Sequence, residues 1–252
     1  MTTERDAALC AAAAGDPARL AELRARVAAG EPLPYVLGYL DFRGRRFRCD
    51  RRAYITDPEA SHLIDTVLAQ GDQLQARLGR PLQVIDFGVG GGMLALSIKM
   101  ERPHWRLCGL DIDRDALALA GENAAMHGVE LECLHSDFLS GWPADRPPPD
   151  LLFADPPWGG AQDLYDDERD AEYYRQMPAA SAFPPGGRTG IHDELLRRLA
   201  AARWPSLIVL NYGILPPALI EQSARPLARW HLHHPRPDIS VLIGHAVPDA
   251  AA

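Results

Sequence analysis

The sequence lacks the features of a membrane, secreted or metal-binding protein. Its four cysteines are scattered and form no C-x-x-C pair, so we expect reduced thiols and no metal. No apolar run reaches the roughly 18 residues that a membrane-spanning helix needs. The segment from Met1 to Asp6 has neither the basic start nor the apolar core of a secretory signal. These absences predict a cytoplasmic protein without a membrane or metal partner.

Positive charge is also in short supply. The formal net charge is −8 over 252 residues, which argues against a protein dedicated to nucleic-acid binding but is compatible with a local basic patch. A dense run of arginines between Arg43 and Arg52 is one such patch. We interpret it either as the solvated face of a hairpin or as a platform for an anionic or extended substrate.

Strand and helix patterns alternate through most of the chain. Strands are predicted at 82–87, 105–110, 131–135, 150–154 and 206–211, and helices at 58–78, 93–100, 114–127, 190–203 and 217–224. This alternation predicts an α/β fold, a doubly wound and Rossmann-like parallel sheet. Two further strands, 227–233 and 239–246, are joined by a short connection, so the last of seven strands is expected to run antiparallel.

The chain divides into three predicted parts. Residues 1–33 read as a short N-terminal helical segment, because alanine, leucine and arginine dominate until glycine and prolines intervene. Residues 34–56 predict a β-hairpin linker that turns at Arg43-Gly44. Residues 57–252 would form the α/β domain, with Asp57 capping its first helix. Within it, the irregular stretch 159–189 is long enough to be functional or mobile.

The tetrapeptide Asp155-Pro156-Pro157-Trp158 follows a buried strand. Its two prolines fix the backbone and remove two N–H donors, at the end of a strand where open α/β sheets bind ligands. The carboxylate of Asp155 and the carbonyl of Pro156 suit both hydrogens of a planar –NH2 group, and the indole of Trp158 suits stacking on that plane. These three residues are the predicted catalytic residues; an ordinary strand-ending turn is the alternative.

Glycines and acids mark the ends of the earlier strands. Gly88 and Gly90 form a turn where a ligand can approach the backbone at a helix N-terminus. Asp86, two residues before the turn, would repel a pyrophosphate but attract a cationic amino-acid end. Asp111 suits ribose hydroxyls and Asp137 an exocyclic adenine amine.

This row predicts S-adenosylmethionine as cofactor and S-adenosylhomocysteine as product. A nicotinamide cofactor is disfavoured, because Met93 stands where the dinucleotide fingerprint has its third glycine. A module that binds the cofactor without catalysis is a further alternative. The predicted cofactor-binding residues are Asp86, Gly88, Gly90, Asp111, Ile112, Asp137, Phe138 and Asp155.

On these motifs the chain resembles the class I S-adenosylmethionine-dependent methyltransferases, and within them the HemK/PrmC family of glutamine N-methyltransferases that modify peptide-release factors. The resemblance runs from about Pro34 to Val209 and covers Pro-Tyr-Val-Leu-Gly at 34–38, the hairpin, Asp86–Gly90, Asp111–Asp113, Asp137-Phe138 and the Pro-Pro-aromatic turn. It implies that the glycine turn and Asp111 bind the cofactor and that the tetrapeptide binds the target nitrogen.

The chain also departs from that family. The family turn is Asn-Pro-Pro-Tyr, whereas this chain has Asp155 and Trp158. The arginine of the family's Ile-Pro-Arg-Pro-Glu-Thr segment is missing from residues 55–60, and the N-terminal helical part is short. These departures favour an acceptor other than a release factor. The stretch 155–160 is instead similar to the turn of trimethylguanosine synthases, which methylate an exocyclic guanine amine.

We therefore predict an N-methyltransferase whose acceptor is a planar or amine nitrogen of a small molecule or amino-acid derivative. The alternative is a macromolecular acceptor, either a protein glutamine or an exocyclic guanine or adenine amine of RNA or DNA; the arginine run favours this alternative. The nitrogen lone pair is expected to attack the sulfonium methyl, with Asp155 accepting the departing proton. Trp158, Tyr173 and Asn211 are the predicted substrate contacts.

Overall fold

The computed structural model describes residues 2–167 and 169–248. Its helices are α1 (Thr2–Ala13), α2 (Pro17–Ala28), α3 (Leu33–Leu37), α4 (Ser61–Leu78), α5 (Met93–Glu101), α6 (Arg114–His127), α7 (Ala161–Leu164), α8 (Ala171–Arg175), α9 (Ala179–Ala182), α10 (Gly190–Ala202) and α11 (Pro217–Ser223). Its strands are β1 (Tyr39–Phe42), β2 (Arg45–Arg48), β3 (Gln83–Phe87), β4 (Arg106–Asp111), β5 (Glu132–His135), β6 (Leu151–Ala154), β7 (Leu207–Gly213), β8 (Arg229–Arg236) and β9 (Ile239–His245). Within these ranges, each helix is too short or too polar for a bilayer crossing.

Seven strands form one sheet in the order β5-β4-β3-β6-β7-β9-β8. Strands β3 to β7 pair in parallel, and β9 lies antiparallel between β7 and β8. Successive residues of a strand face opposite sides of a sheet. Val84 and Phe153 accordingly belong to the core cluster that contains α4 and α5, while Ile85 and Leu152 belong to the cluster that contains α10 and α11. The predicted doubly wound sheet, with its last strand antiparallel, is confirmed.

Three local predictions need correction. Residues 33–37 form helix α3 rather than part of the hairpin, because Pro34 is tolerated in a first helical turn and Gly38, at φ 78°, ends the helix. The described residues of the stretch 159–189 include the short helices α7, α8 and α9, where irregular chain is predicted. Strand β8 extends to Arg236, beyond the predicted end at 233. Pro235 does not end it, because β8 is an edge strand with a register shift at that point.

Arg43 holds the β1–β2 hairpin against the sheet domain. It donates to both carboxylate oxygens of Glu101, at 2.9 and 3.0 Å, and to Oγ of Ser61 at 2.8 Å. It also lies 2.8 Å from a carboxylate oxygen of Asp65. The other arginines of the run likewise have carboxylate partners in the chain: Arg45 with Glu101, Arg46 with Asp41, Arg48 with Glu122, Arg51 with Glu31, and Arg52 with Asp50 and Glu122. The arginines of the run therefore form ion pairs within the chain, and those of Arg43 hold the hairpin in place.

Replacing Arg43 with alanine is expected to lower the free energy of unfolding by about 1.5–3 kcal/mol, because the partly buried carboxylate of Glu101 loses its bidentate partner. Arg46→Ala is the matched control, since Arg46 pairs with Asp41 on an exposed face and exposed pairs contribute little. Chemical denaturation compares the two variants. Equal destabilisation by both would contradict the anchoring role of Arg43.

Candidate active site

A cavity of about 940 Å³ lies at the carboxyl edge of the sheet. Residues at or just after the carboxyl ends of β3, β4, β5, β6 and β7 all contribute to its wall, because parallel strands bring these ends to one edge. These wall segments are Gly88–Gly91, Asp111–Asp113, Ser136–Phe138, Asp155–Trp158, and Asn211, Gly213 and Ile214. The stretch before α4 and much of 163–185 complete the wall. The predicted glycine turn and the predicted acceptor turn therefore open into the same space.

The glycine turn is held open by Asp111. Gly88 and Gly90 have φ values of 75° and 52°, and a Cβ added at either would meet nothing within 4 Å. The N–H of Gly90 donates to Oδ2 of Asp111 at 2.8 Å, and the N–H of Asp113 donates to Oδ1 at 2.9 Å. Burial raises the pKa of Asp111, against the lowering effect of these backbone donors. The turn thus presents bare backbone to the cavity beside a carboxylate.

Asp86 lies two residues before this turn and is almost completely buried, with 1% of its surface exposed. Its Oδ2 accepts from the N–H of Ala95 at 3.1 Å. Its Oδ1 has no hydrogen-bond partner within residues 2–167 and 169–248. Burial raises the pKa of this carboxyl well above its usual range, and repulsion from Asp111 and Asp155 adds to the effect. A cationic group at the turn would stabilise the charged form of this buried carboxyl.

The remaining predicted cofactor residues line the same end of the cavity. Ile112 is 56% exposed although it is a large apolar side chain. Asp137 is exposed and lies 3.9 Å from Arg198. Phe138, at φ 53°, packs its ring 5.5 Å from the ring of Phe87. The cavity wall here combines apolar surface with one accessible carboxylate.

The Asp155–Trp158 turn presents a carboxylate whose pKa is raised. Oδ1 of Asp155 accepts from the side-chain amide of Asn211 at 2.7 Å. Burial raises the pKa of Asp155 to about 6, with a contribution from the charge of Asp57, while hydrogen bonds from Asn211 and Trp158 oppose the rise. The indole of Trp158 lies over Gly213, where an added Cβ would come within 2.2 Å of the ring. Asp155 is therefore charged at neutral pH but titrates close to it.

The two other predicted substrate contacts occupy different positions. Asn211 lines the cavity, with its amide engaged by Asp155. Tyr173 packs against the large core cluster, and its neighbour Tyr174 lines the cavity. Tyr174 forms an aromatic group with Tyr165 and Phe183, at ring distances of 5.8 and 5.4 Å. The tyrosine pair thus reaches the cavity through its second member.

The described part of the stretch 159–189 folds as a loop at the cavity. Its ends meet through a hydrogen bond from the N–H of Gly159 to the carbonyl of Arg188, at 2.9 Å. The guanidinium of Arg188 also donates to Asp163 at 2.7 Å. Arg169 donates to Asp57 at 2.9 Å and so ties the loop to the start of the α4 region. The loop thereby becomes part of the cavity wall.

Several residues at the site were not singled out by the sequence. Asp57 accepts from the N–H of Glu59 as the predicted helix cap, and it also accepts from Arg169 of the 159–189 stretch. His192 is fully buried and its ring bonds to the carbonyl of Asn211 at 2.8 Å. Gly213 supports Trp158. These contacts join residues far apart in the chain, so local patterns carry no signal for them.

The chain is similar to known proteins in sequence and in fold. The family model "Methyltransferase small domain" matches residues 66–167. The chain is 28% identical over 176 residues to "Release factor glutamine methyltransferase" of Lactococcus lactis subsp. lactis, over 70% of this chain and 61% of the relative. It is 32% identical over 194 residues to the protein of the same name from Koribacter versatilis, over 77% of this chain and 65% of the relative. The chain thus spans less than two thirds of the length of these relatives.

A solved structure with a similar fold is the T. thermophilus 16S rRNA N2 G1207 methyltransferase (RsmC) in complex with AdoMet and guanosine. It superposes with a TM-score of 0.52 at 18% identity, over 82% of this chain and 49% of that chain. At this identity the likeness concerns the fold, a Rossmann-like sheet.

Proposed function

We propose that this protein is a class I S-adenosylmethionine-dependent N-methyltransferase whose methyl acceptor is the side chain of a protein glutamine. Its sequence resembles the release factor glutamine methyltransferases. The enzyme class agrees with the prediction from sequence. The sequence favours a small-molecule acceptor and gives a protein glutamine as the alternative. We now prefer the glutamine, because the relatives are release factor glutamine methyltransferases. The observation that carries the proposal is the carboxylate of Asp155, which lines the same cavity as the glycine turn.

The residues around the glycine turn fit the cofactor of this class. A cationic amino-acid end at the turn would supply the counter-charge that the buried carboxylate of Asp86 lacks. Open space beside Gly88 and Gly90 leaves their backbone accessible, and the carboxylate of Asp111 suits the ribose hydroxyls. Asp137 suits the adenine amine, with Ile112 and Phe138 as apolar surface. When bound, S-adenosylmethionine supplies an electrophilic methyl group.

The acceptor turn overcomes the weak nucleophilicity of an amide nitrogen. The carboxylate of Asp155 and the carbonyl of Pro156 accept the two N–H groups of the glutamine amide, which orients the nitrogen and raises its electron density. Trp158 covers the amide plane and excludes water. Such positioning contributes on the order of 7–11 kcal/mol in well-oriented reactions. Asp155 is charged at neutral pH because its pKa is about 6, so it accepts the proton that nitrogen loses.

The charge of the cavity favours a neutral amide over a phosphate-bearing acceptor. Acidic residues dominate its described wall, with Asp57, Asp155 and Asp166 on the acceptor side. The basic residues of the described wall are Arg52 and Arg169, and each is paired with carboxylates. The arginine run that favoured nucleic acid is likewise ion-paired in the chain. A polyanion would therefore meet repulsion at the site.

The acceptor is tested by incubating the protein with methyl-labelled S-adenosylmethionine and four acceptors in parallel: a peptide-release factor, a glutamine-containing peptide, RNA, and a mixture of free amines. We expect label in the release factor, and mass spectrometry should place the methyl group on a glutamine side-chain nitrogen. Asp155→Ala is the matched variant and should label the release factor about 10²–10³-fold more slowly. Label confined to RNA or to free amines would overturn the proposal.

Methyl transfer should also depend on pH through Asp155. Its pKa is raised to about 6, so lowering the pH through this value protonates the carboxylate and removes the hydrogen-bond acceptor. We expect kcat/KM to be level above about pH 7 and to fall about tenfold per pH unit well below pH 6. A pH–rate profile measures this, and the acidic limb should be absent from any residual activity of Asp155→Ala. A profile that is flat down to pH 5 would contradict it.

A further inference from the structure

The side-chain amide of Asn211 has a defined orientation. Its Oδ1 accepts from the N–H of Gly213 at 3.1 Å, and its Nδ2 donates to Oδ1 of Asp155 at 2.7 Å. A backbone N–H can only donate, so the oxygen of the amide must face Gly213 and the nitrogen must face Asp155. Asn211 therefore presents a fixed donor to residue 155.

The backbone that carries Asn211 is held from behind. Strand β7 has a register shift between Asn211 and Gly213, which re-aims the chain at this point. The ring of His192, fully buried in α10, bonds to the carbonyl of Asn211 at 2.8 Å. Burial lowers the pKa of His192 to about 4, so the ring stays neutral at physiological pH. Gly213, at the end of this register shift, lies against the indole of Trp158. This part of β7 therefore contacts both Asp155 and Trp158.

We propose that Asn211 is a positioning residue that occupies one oxygen of Asp155 and thereby requires a carboxylate at position 155. The proposal rests on the proposed function, in which residue 155 accepts an N–H of the methyl acceptor. A carboxylate has two equivalent oxygens, one for Asn211 and one for the acceptor. An asparagine at 155 would turn its single oxygen to Asn211 and its –NH2 group to the acceptor. Its N–H groups would then face the N–H groups of the acceptor, and no hydrogen bond could form.

Asn211 is predicted from the sequence to contact the substrate, whereas here it acts on the substrate indirectly. Its donor group is used within the protein, and its effect on the acceptor passes through Asp155. It also helps to keep Asp155 charged, because Asp57 and Asp86 lie nearby and disfavour a further negative charge. Tyr54, whose pKa burial raises, also faces Asp155 and stays neutral. Asn211 and Trp158 are the groups whose hydrogen bonds lower the pKa of Asp155.

A double-mutant cycle tests the proposal. Asp155→Asn is expected to lower kcat/KM by about 10²-fold or more, as does loss of an oriented polar partner elsewhere. Asn211→Asp should cost as much, because two carboxylates would then face each other. The double variant exchanges the two side chains: the amide at 155 donates to the carboxylate at 211 and turns its oxygen to the acceptor. Its kcat/KM should exceed that of either single variant but stay below the wild type, because the orienting contacts return while residue 155 can no longer accept the proton.

If kcat/KM of the double variant is lowered by the product of the two single-variant losses, the proposal is overturned. A readout that needs no methyl acceptor separates this failure from failure of the proposed function. In protein labelled with ¹³C at the aspartate carboxyl carbons, the Asp155 signal should titrate at a higher pH in Asn211→Leu than in the wild type. An unchanged titration midpoint in a folded Asn211→Leu protein would also overturn it. If the wild type labels no glutamine but the midpoint still shifts, the acceptor assignment fails and the pairing stands.

Discussion

Replacing Asp155 with alanine is expected to lower kcat for methyl transfer by about 10²–10³-fold and to leave the Kd for S-adenosylmethionine nearly unchanged. The loss follows because the acceptor nitrogen loses a partner that orients it and takes its proton. Cofactor affinity should persist because the glycine turn is held by Asp111. Steady-state kinetics and calorimetric titration measure the two quantities separately.

Asp145→Ala is the matched control for this variant, because Asp145 is an exposed acid outside the cavity. It should match the wild type in both measurements. A Kd for S-adenosylmethionine that rises in parallel with the loss of kcat in Asp155→Ala would contradict the division of the cavity into a cofactor end and an acceptor end.

Asp111→Ala is expected to have the opposite profile, with the Kd for S-adenosylhomocysteine raised by about 100-fold. Charge-assisted hydrogen bonds are worth about 1.5–3 kcal/mol each, and this variant loses those to the ligand. It also releases the N–H groups of Gly90 and Asp113, which the carboxylate holds at 2.8 and 2.9 Å. Both effects act on cofactor binding.

Asp111→Asn separates these two effects. Its single side-chain oxygen can keep one of the two backbone donors, so we expect a Kd between those of the wild type and Asp111→Ala. Calorimetry with S-adenosylhomocysteine avoids turnover and so measures binding directly. An unchanged Kd in Asp111→Ala would mean that the cofactor binds elsewhere in the cavity.

The elements of the sheet domain were largely predictable because their signals are local. Strand β6 is a continuous apolar run, as buried parallel strands are, and helix α6 has its cap at Asp113 and a left-handed glycine at Gly128. Once the strands alternate with helices, topology brings their carboxyl ends together. The acids and glycines that follow those strands therefore had to share one edge, and the cavity lies there.

The contacts between distant segments could not be predicted in this way. Arg169 and Asp57 are 112 residues apart in sequence, and Asn211 and Asp155 are 56 apart. Such pairs depend on how loops fold over the sheet, and each residue type is also common on a solvated surface. The register shift at Asn211 was similarly hidden. For the same reason, the sequence of the arginine run does not reveal its carboxylate partners.

The structure of a complex with S-adenosylhomocysteine and a glutamine-containing peptide would test the central claim most directly. The glutamine side-chain nitrogen should lie within hydrogen-bond distance of Oδ2 of Asp155 and of the carbonyl of Pro156, with Asn211 still bonded to Oδ1. Trp158 should cover the amide plane. A peptide amide bound away from the Asp155 turn, with the turn facing solvent or another ligand, would contradict the assignment of this turn as the acceptor site.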